Sequence, residues 1–118
     1  MQLAVHLERC VARFPRYHKY ALGTELRRAA QQLLGAIMRC ASARERRTAE
    51  LERLVLIVEQ IKTQLALARE IRAFSSFTDF AVAAETTVGL GKQGEGWLRQ
   101  ARRKAGPEAA SFSGGARA

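Results

Sequence analysis

A chain of 118 residues holds one domain of ordinary size, and a net charge of +9 excludes a neutral surface. That charge attracts polyanions, nucleic acid first and an anionic membrane second. Hydrophobic content of 47%, two prolines and an abundance of Ala, Leu, Arg, Glu and Gln exclude a disordered or β-rich chain and indicate an all-α class.

The charge is uneven. Residues 1–47 carry ten Lys/Arg against three acids, residues 48–80 four against five, and residues 81–118 six against three. Cys10 and Cys40 stand thirty residues apart with no CxxC pairing, which is neither a metal nor a redox pattern. The first residues lack the charged-then-apolar pattern of a signal peptide, and no run approaches about 18 apolar residues. A cytoplasmic protein with no membrane span is the expectation.

The first predicted helix covers residues 2–13, with Leu3, Leu7, Cys10 and Phe14 on one face and His6 at its edge. Pro15 ends it, because the residue before a proline resists the α region. Pro is well tolerated in a first helical turn, so the second helix begins there and runs to about Ser42. Its stripe is Leu22, Leu26, Ala29, Leu33 and Ile37, flanked by Ala30, Leu34 and Ala41. Arg16, Lys19 and Arg27 border the stripe, and Arg28 and Arg39 lie on the back. Gly23 inside this helix costs about 1 kcal/mol relative to Ala, which suggests close packing.

Residues 43–47, ARERR, form a charged connector, and Thr48 is a candidate N-cap. The third helix runs to about Phe74. Leu51, Leu54, Val58, Ile61, Leu65 and Ala68 make a heptad seam suited to a bundle, widened by Ile57 and Ile71. Leu56 and Leu67 point the other way, which marks either ordinary surface or, as favoured here, a subunit contact. Ser76 and Asp79 resemble a capping box with Asp in place of Glu. The fourth helix reaches about Lys104, with an expected inner stripe of Phe77, Phe80, Ala81, Ala84, Val88, Gly91 and Leu98. Gly89, Gly91, Gly94 and Gly96 are expected to loosen or bend it, or to admit a neighbouring backbone. The domain is thus residues 1–104, and 105–118 read as a flexible Gly/Ala/Ser tail.

Gly89-Leu90-Gly91-Lys92-Gln93-Gly94 matches GxGxxG, but the run before it reads as helix, not strand, so no dinucleotide site is expected. No P-loop, HExxH or EF-hand spacing occurs. With two histidines, one aspartate and no visible nucleophile partner, the chain reads as a non-enzyme with no cofactor and no metal. What remains is the basic surface. Arginine suits phosphate because its planar fork binds two oxygens. Tyr17 and Tyr20 stand among Arg16, His18 and Lys19, where they either stack on unpaired bases or pack between helices; packing is favoured for at least one. No groove-reading module is evident.

Phe14-Pro15, Tyr20-Ala21-Leu22-Gly23 and Leu26-Arg27-Arg28-Ala29-Ala30 resemble the signature region of the accessory variability determinant (Avd) proteins of diversity-generating retroelements. Lys62–Ser75 and Gly96-Trp97-Leu98 are similar to the same family, so the resemblance spans about residues 3–100. Lys92 and Gln93 depart from it, standing where apolar residues belong. A sister group, the bundle proteins encoded in intervening sequences of ribosomal RNA genes, shares part of the pattern. The resemblance implies an antiparallel up-down four-helix bundle that assembles into a homopentameric barrel. It further implies nucleic-acid binding and association with a reverse transcriptase that makes mutagenised cDNA.

The expected function is therefore a non-enzymatic accessory subunit that holds template RNA or an RNA–cDNA hybrid near the reverse transcriptase. The expected contacts are Arg16, Lys19, Arg27, Arg28 and Arg39, with Arg69, Arg72, Arg99 and Arg103 as a second set. The alternative is a self-assembling structural bundle of the intervening-sequence type, with no reverse-transcriptase partner.

Overall fold

The computed structural model describes residues 2–42 and 44–104, and the expected tail lies outside them. Among the described residues the chain is all-helical, with no strand, in an arrangement compatible with a helical bundle. Helix α1, Gln2–Ala12, buries Leu3, Leu7, Cys10 and Val11. Phe14 is also buried, so the spacing expected for this face holds. The helix stops where Pro15 adopts an extended backbone, φ −53 and ψ 145.

Beyond Pro15 lie α2, Arg16–His18, a π-helical turn, Lys19–Gly23, and α3, Thr24–Ser42. Lys19 and Thr24 both have right-handed helical dihedrals, so these pieces form one rod from Arg16 to Ser42. The π turn ends where Gly23 packs on α1. A Cβ there would stand 2.7 Å from Val11 Cγ1, inside van der Waals contact. Gly23 is therefore a packing glycine, as its place in a helix suggested. Leu26, Ala29, Ala30, Leu33 and Ala36 are buried, with Leu22 and Ile37 half-buried against the core.

Helix α4, Arg47–Glu70, begins one residue before Thr48, and its N-cap is Arg46 with no side-chain hydrogen bond. The expected Thr48 cap is not formed. Instead the Arg47 side chain donates to the Cys40 carbonyl at 3.1 Å, satisfying one of the open acceptors at the end of α3. Every residue of the expected α4 seam is buried, from Leu51 to Ala68.

The helix ends at Glu70 rather than near Phe74. Ile71, at its C-cap, is exposed and does not widen the seam. Arg72 takes φ 58, the Ala73 N–H donates to the Ala68 carbonyl, and the Arg72 N–H donates to the Arg69 carbonyl. These two bonds close a Schellman turn, which normally carries glycine at its left-handed position. An L side chain there costs roughly 1–2 kcal/mol. Periodicity alone cannot see this ending, because the apolar pattern runs on through Ile71 and Phe74.

Helix α5, Phe77–Lys104, has half of the expected capping box: the Ser76 hydroxyl accepts from the Asp79 N–H at 3.1 Å, while the Asp79 carboxylate turns to Arg13 and Ser75. It runs unbroken through all four glycines. Its inner face is Ala83, Thr87, Gly91, Gly94 and Leu98, so of the expected stripe only Gly91 and Leu98 are buried. Phe77 and Val88 are exposed, and Phe80, Ala81 and Ala84 are half-buried. The small residues turn inward because they let α5 approach α4 closely. A Cβ on Gly91 would stand 3.1 Å from Val58, and one on Gly94 2.7 Å from Leu54. Thr87 is fully buried, and its hydroxyl donates to the Ala83 carbonyl at 2.7 Å. No helix of the described residues is long and apolar enough to cross a membrane.

Candidate nucleic-acid interface

Seven of the nine expected basic contacts fall at two places separated by the length of α4. Arg39 pairs with Glu50 at 3.0 Å, and Arg102 lies 3.6 Å from Glu52. These pairs bring the start of α4 beside the ends of α3 and α5. Arg44, Arg46, Arg99, Arg103 and Lys104 are exposed around them. Arg44, Arg46, Arg102 and Lys104 were not among the expected contacts. The ARERR run was the signal for the first two, read only as a connector. An open cavity of about 320 Å³ lies here, its lining including Ile37, Leu51, Leu54, Trp97, Arg47 and Lys104.

The other end is aromatic as well as basic. Phe14 meets Phe74 edge-on at 5.3 Å, and Phe74 meets Phe80 at 5.6 Å. The Arg69 guanidinium lies 5.1 Å from the Phe80 ring centre and 5.7 Å from that of Phe77. Arg16 and Lys19 follow Phe14 by two and five residues. Tyr17 is 81% exposed and Tyr20 71% exposed, so neither packs between helices, contrary to the expectation for at least one. The reason is geometric: the two tyrosines sit on the outer side of the rod whose inner side carries Leu22, Gly23 and Leu26.

Arg27 and Arg28 lie between these ends. Arg27 pairs with Glu8 at 3.1 Å and Arg28 with Glu25 at 3.0 Å. Exposed pairs of this kind contribute under about 1 kcal/mol and yield readily to a polyanion. The nine expected contacts thus do not share one patch. Arg39, Arg99 and Arg103 sit at one end, Arg16, Lys19, Arg69 and Arg72 at the other. From Glu50 to Arg69 the α4 axis rises by roughly 30 Å. Leu56 and Leu67 are 70% and 51% exposed on α4 between them.

One constellation was not visible in the sequence. Across the join of α1 and α5, His6 Nε2 lies 3.0 Å from the Asp79 backbone carbonyl and 3.3 Å from Cys10 Sγ. A carbonyl only accepts, so Nε2 carries the proton of that bond and is not free to take one from the thiol. Burial, reinforced by the Asp79 charge, pushes the Cys10 thiol up to about 11. A protonated, buried thiol is a poor nucleophile.

The Asp79 carboxylate is occupied too, by Arg13 at 2.7 Å and the Ser75 hydroxyl at 3.0 Å. Desolvation pushes its pKa up, but the hydrogen bonds from Arg13 and Ser75, with the Arg13 charge, outweigh it and hold it below the usual carboxylate range. The cluster fastens α1 to the start of α5. No group of three or more His, Cys, Asp or Glu side chains that could hold a metal occurs among the described residues. The GxGxxG run lies wholly inside α5, without the strand-to-helix turn that phosphate binding requires. Comparisons with protein-family models, curated proteins and solved structures yield no match.

Proposed function

We propose that the chain is a non-enzymatic accessory protein of a diversity-generating retroelement. In this reading it is an antiparallel four-helix protomer that forms a homopentameric barrel in the cytoplasm. It binds template RNA or an RNA–cDNA hybrid and associates with the reverse transcriptase. The retroelement part rests on the resemblance in Phe14–Ala30. The nucleic-acid part is carried by one observation: Tyr17 and Tyr20 stand almost fully out of the fold beside Arg16 and Lys19. Exposed aromatics among cations are suited to single-stranded nucleic acid, whose bases offer faces to stack and whose phosphates attract the charge.

The test is affinity for single-stranded RNA across a salt series. With about four phosphate contacts, binding falls roughly 50-fold between 50 and 200 mM salt. A flat response overturns the electrostatic reading. Arg27→Gln with Arg28→Gln lowers affinity while helicity by circular dichroism stays unchanged. Capture of the host's reverse transcriptase by the tagged chain tests the retroelement role, and its absence removes that role.

The exposure of Leu56 and Leu67 also favours a second reading, a self-assembling structural bundle of the intervening-sequence type. That protein assembles but binds neither RNA nor reverse transcriptase.

A further inference from the structure

The turn between α4 and α5 carries two side chains chosen against local preference. Arg72 occupies a left-handed position, φ 58, where glycine fits without strain. The turn needs only the backbone there, and the guanidinium makes no ion pair among the described residues. Phe77 opens α5 and is 68% exposed, although three phenylalanines lie close by in half-buried or buried places. Arg69 reaches across from α4 to within cation–π distance of Phe77 and Phe80. Arg69, Arg72, Phe74, Ser75, Phe77 and Phe80 line an open cleft of about 330 Å³. The acids nearby are Asp79, already paired with Arg13, and Glu70 in the last turn of α4.

We propose that this cleft is a stacking site for an unpaired base of single-stranded RNA, with Phe77 as the platform and Arg69 and Arg72 on the flanking phosphates. The site rests on the nucleic-acid reading above and locates one of its contacts. An aromatic ring flanked by cations matches a base flanked by phosphates in both shape and charge. A duplex is a poor occupant, because its bases are stacked on one another and offer no free face. An apolar protein segment would use the ring but leave Arg69 and Arg72 without anionic partners.

The experiment uses the full chain and a short single-stranded RNA carrying one 2-aminopurine, whose fluorescence is quenched on stacking. The wild-type chain quenches the probe on binding. Phe77→Leu keeps its helicity and the salt slope, loses most of the quench and binds about tenfold more weakly. Arg72→Gly preserves the left-handed turn, so its thermal midpoint rises while its affinity drops and its salt slope falls by about 0.7.

A Phe77→Leu chain that quenches and binds like wild type overturns the stacking site and leaves the nucleic-acid reading standing. A wild-type chain that binds no RNA overturns both. Loss of reverse-transcriptase capture in Phe77→Leu with an unchanged quench makes Phe77 a protein contact and overturns the site.

Discussion

Asp79 shows how one side chain can organise a junction. It lies at the start of α5, receives Arg13 from the turn just after α1 and Ser75 from the turn before α5, and its backbone carbonyl receives His6. Its pKa is lowered in the fold, so the stability it supplies is present above the unfolded carboxyl value of about 3.9 and is lost as pH falls through the folded value. Asp79→Asn keeps the shape and removes the charge. Its thermal midpoint at pH 7 drops by a few degrees, on the order expected for one partly buried pair. The difference from wild type vanishes in acid, where wild-type Asp79 is itself protonated. A difference that persists below the folded pKa would show that the hydrogen bonds of the carboxyl group, not its charge, hold the junction.

At the scale of the element, α5 depends on which glycine faces what. Nothing lies within 4 Å of a Cβ built on Gly89, which is exposed, whereas one on Gly94 would press on the fully buried Leu54. Gly89→Ala therefore stabilises the protein by about 0.5–1 kcal/mol, through the reduced backbone entropy of the unfolded chain. Gly94→Ala gains the same term but overpacks the α4–α5 contact at a cost of about 1–3 kcal/mol, and is destabilising in sum. Urea unfolding of the two variants separates these effects. Equal stabilisation of both would mean that Leu54 can move aside freely.

For the whole molecule, the question is what its outer surface touches. Leu56 and Leu67 stand exposed on α4 between the two basic ends. Leu56→Glu with Leu67→Glu changes protomer stability by no more than about 0.5 kcal/mol, as surface positions do. If these leucines join subunits, the same pair of changes lowers the mass measured by light scattering while the helical signal stays. An unchanged mass places them outside any interface. The two basic ends stand roughly 30 Å apart on one chain, so in the nucleic-acid reading proposed above a short RNA is expected to contact one end at a time and only a longer strand to span both. Removing charge at one end then weakens a short RNA at that end alone.

Much of this molecule was determined by the sequence itself. The alternation of three and four residues from Leu51 to Ala68 admits only a helix with that face inward, and that face is buried. Pro15 marked a helix boundary by its restricted backbone, and Ser76 marked one by its capping hydroxyl. Three things were decided only by the tertiary structure. The inner face of α5 was one, because glycine and alanine carry little hydropathy and turn inward only when a neighbouring helix comes close enough to exclude larger side chains. The separation of the arginines into two ends was another, since charge leaves no periodic mark that says where a helix lies in the bundle. The last was the meeting of His6, Cys10, Arg13 and Asp79, residues more than sixty positions apart in part, which local sequence cannot foresee because folding brings them together.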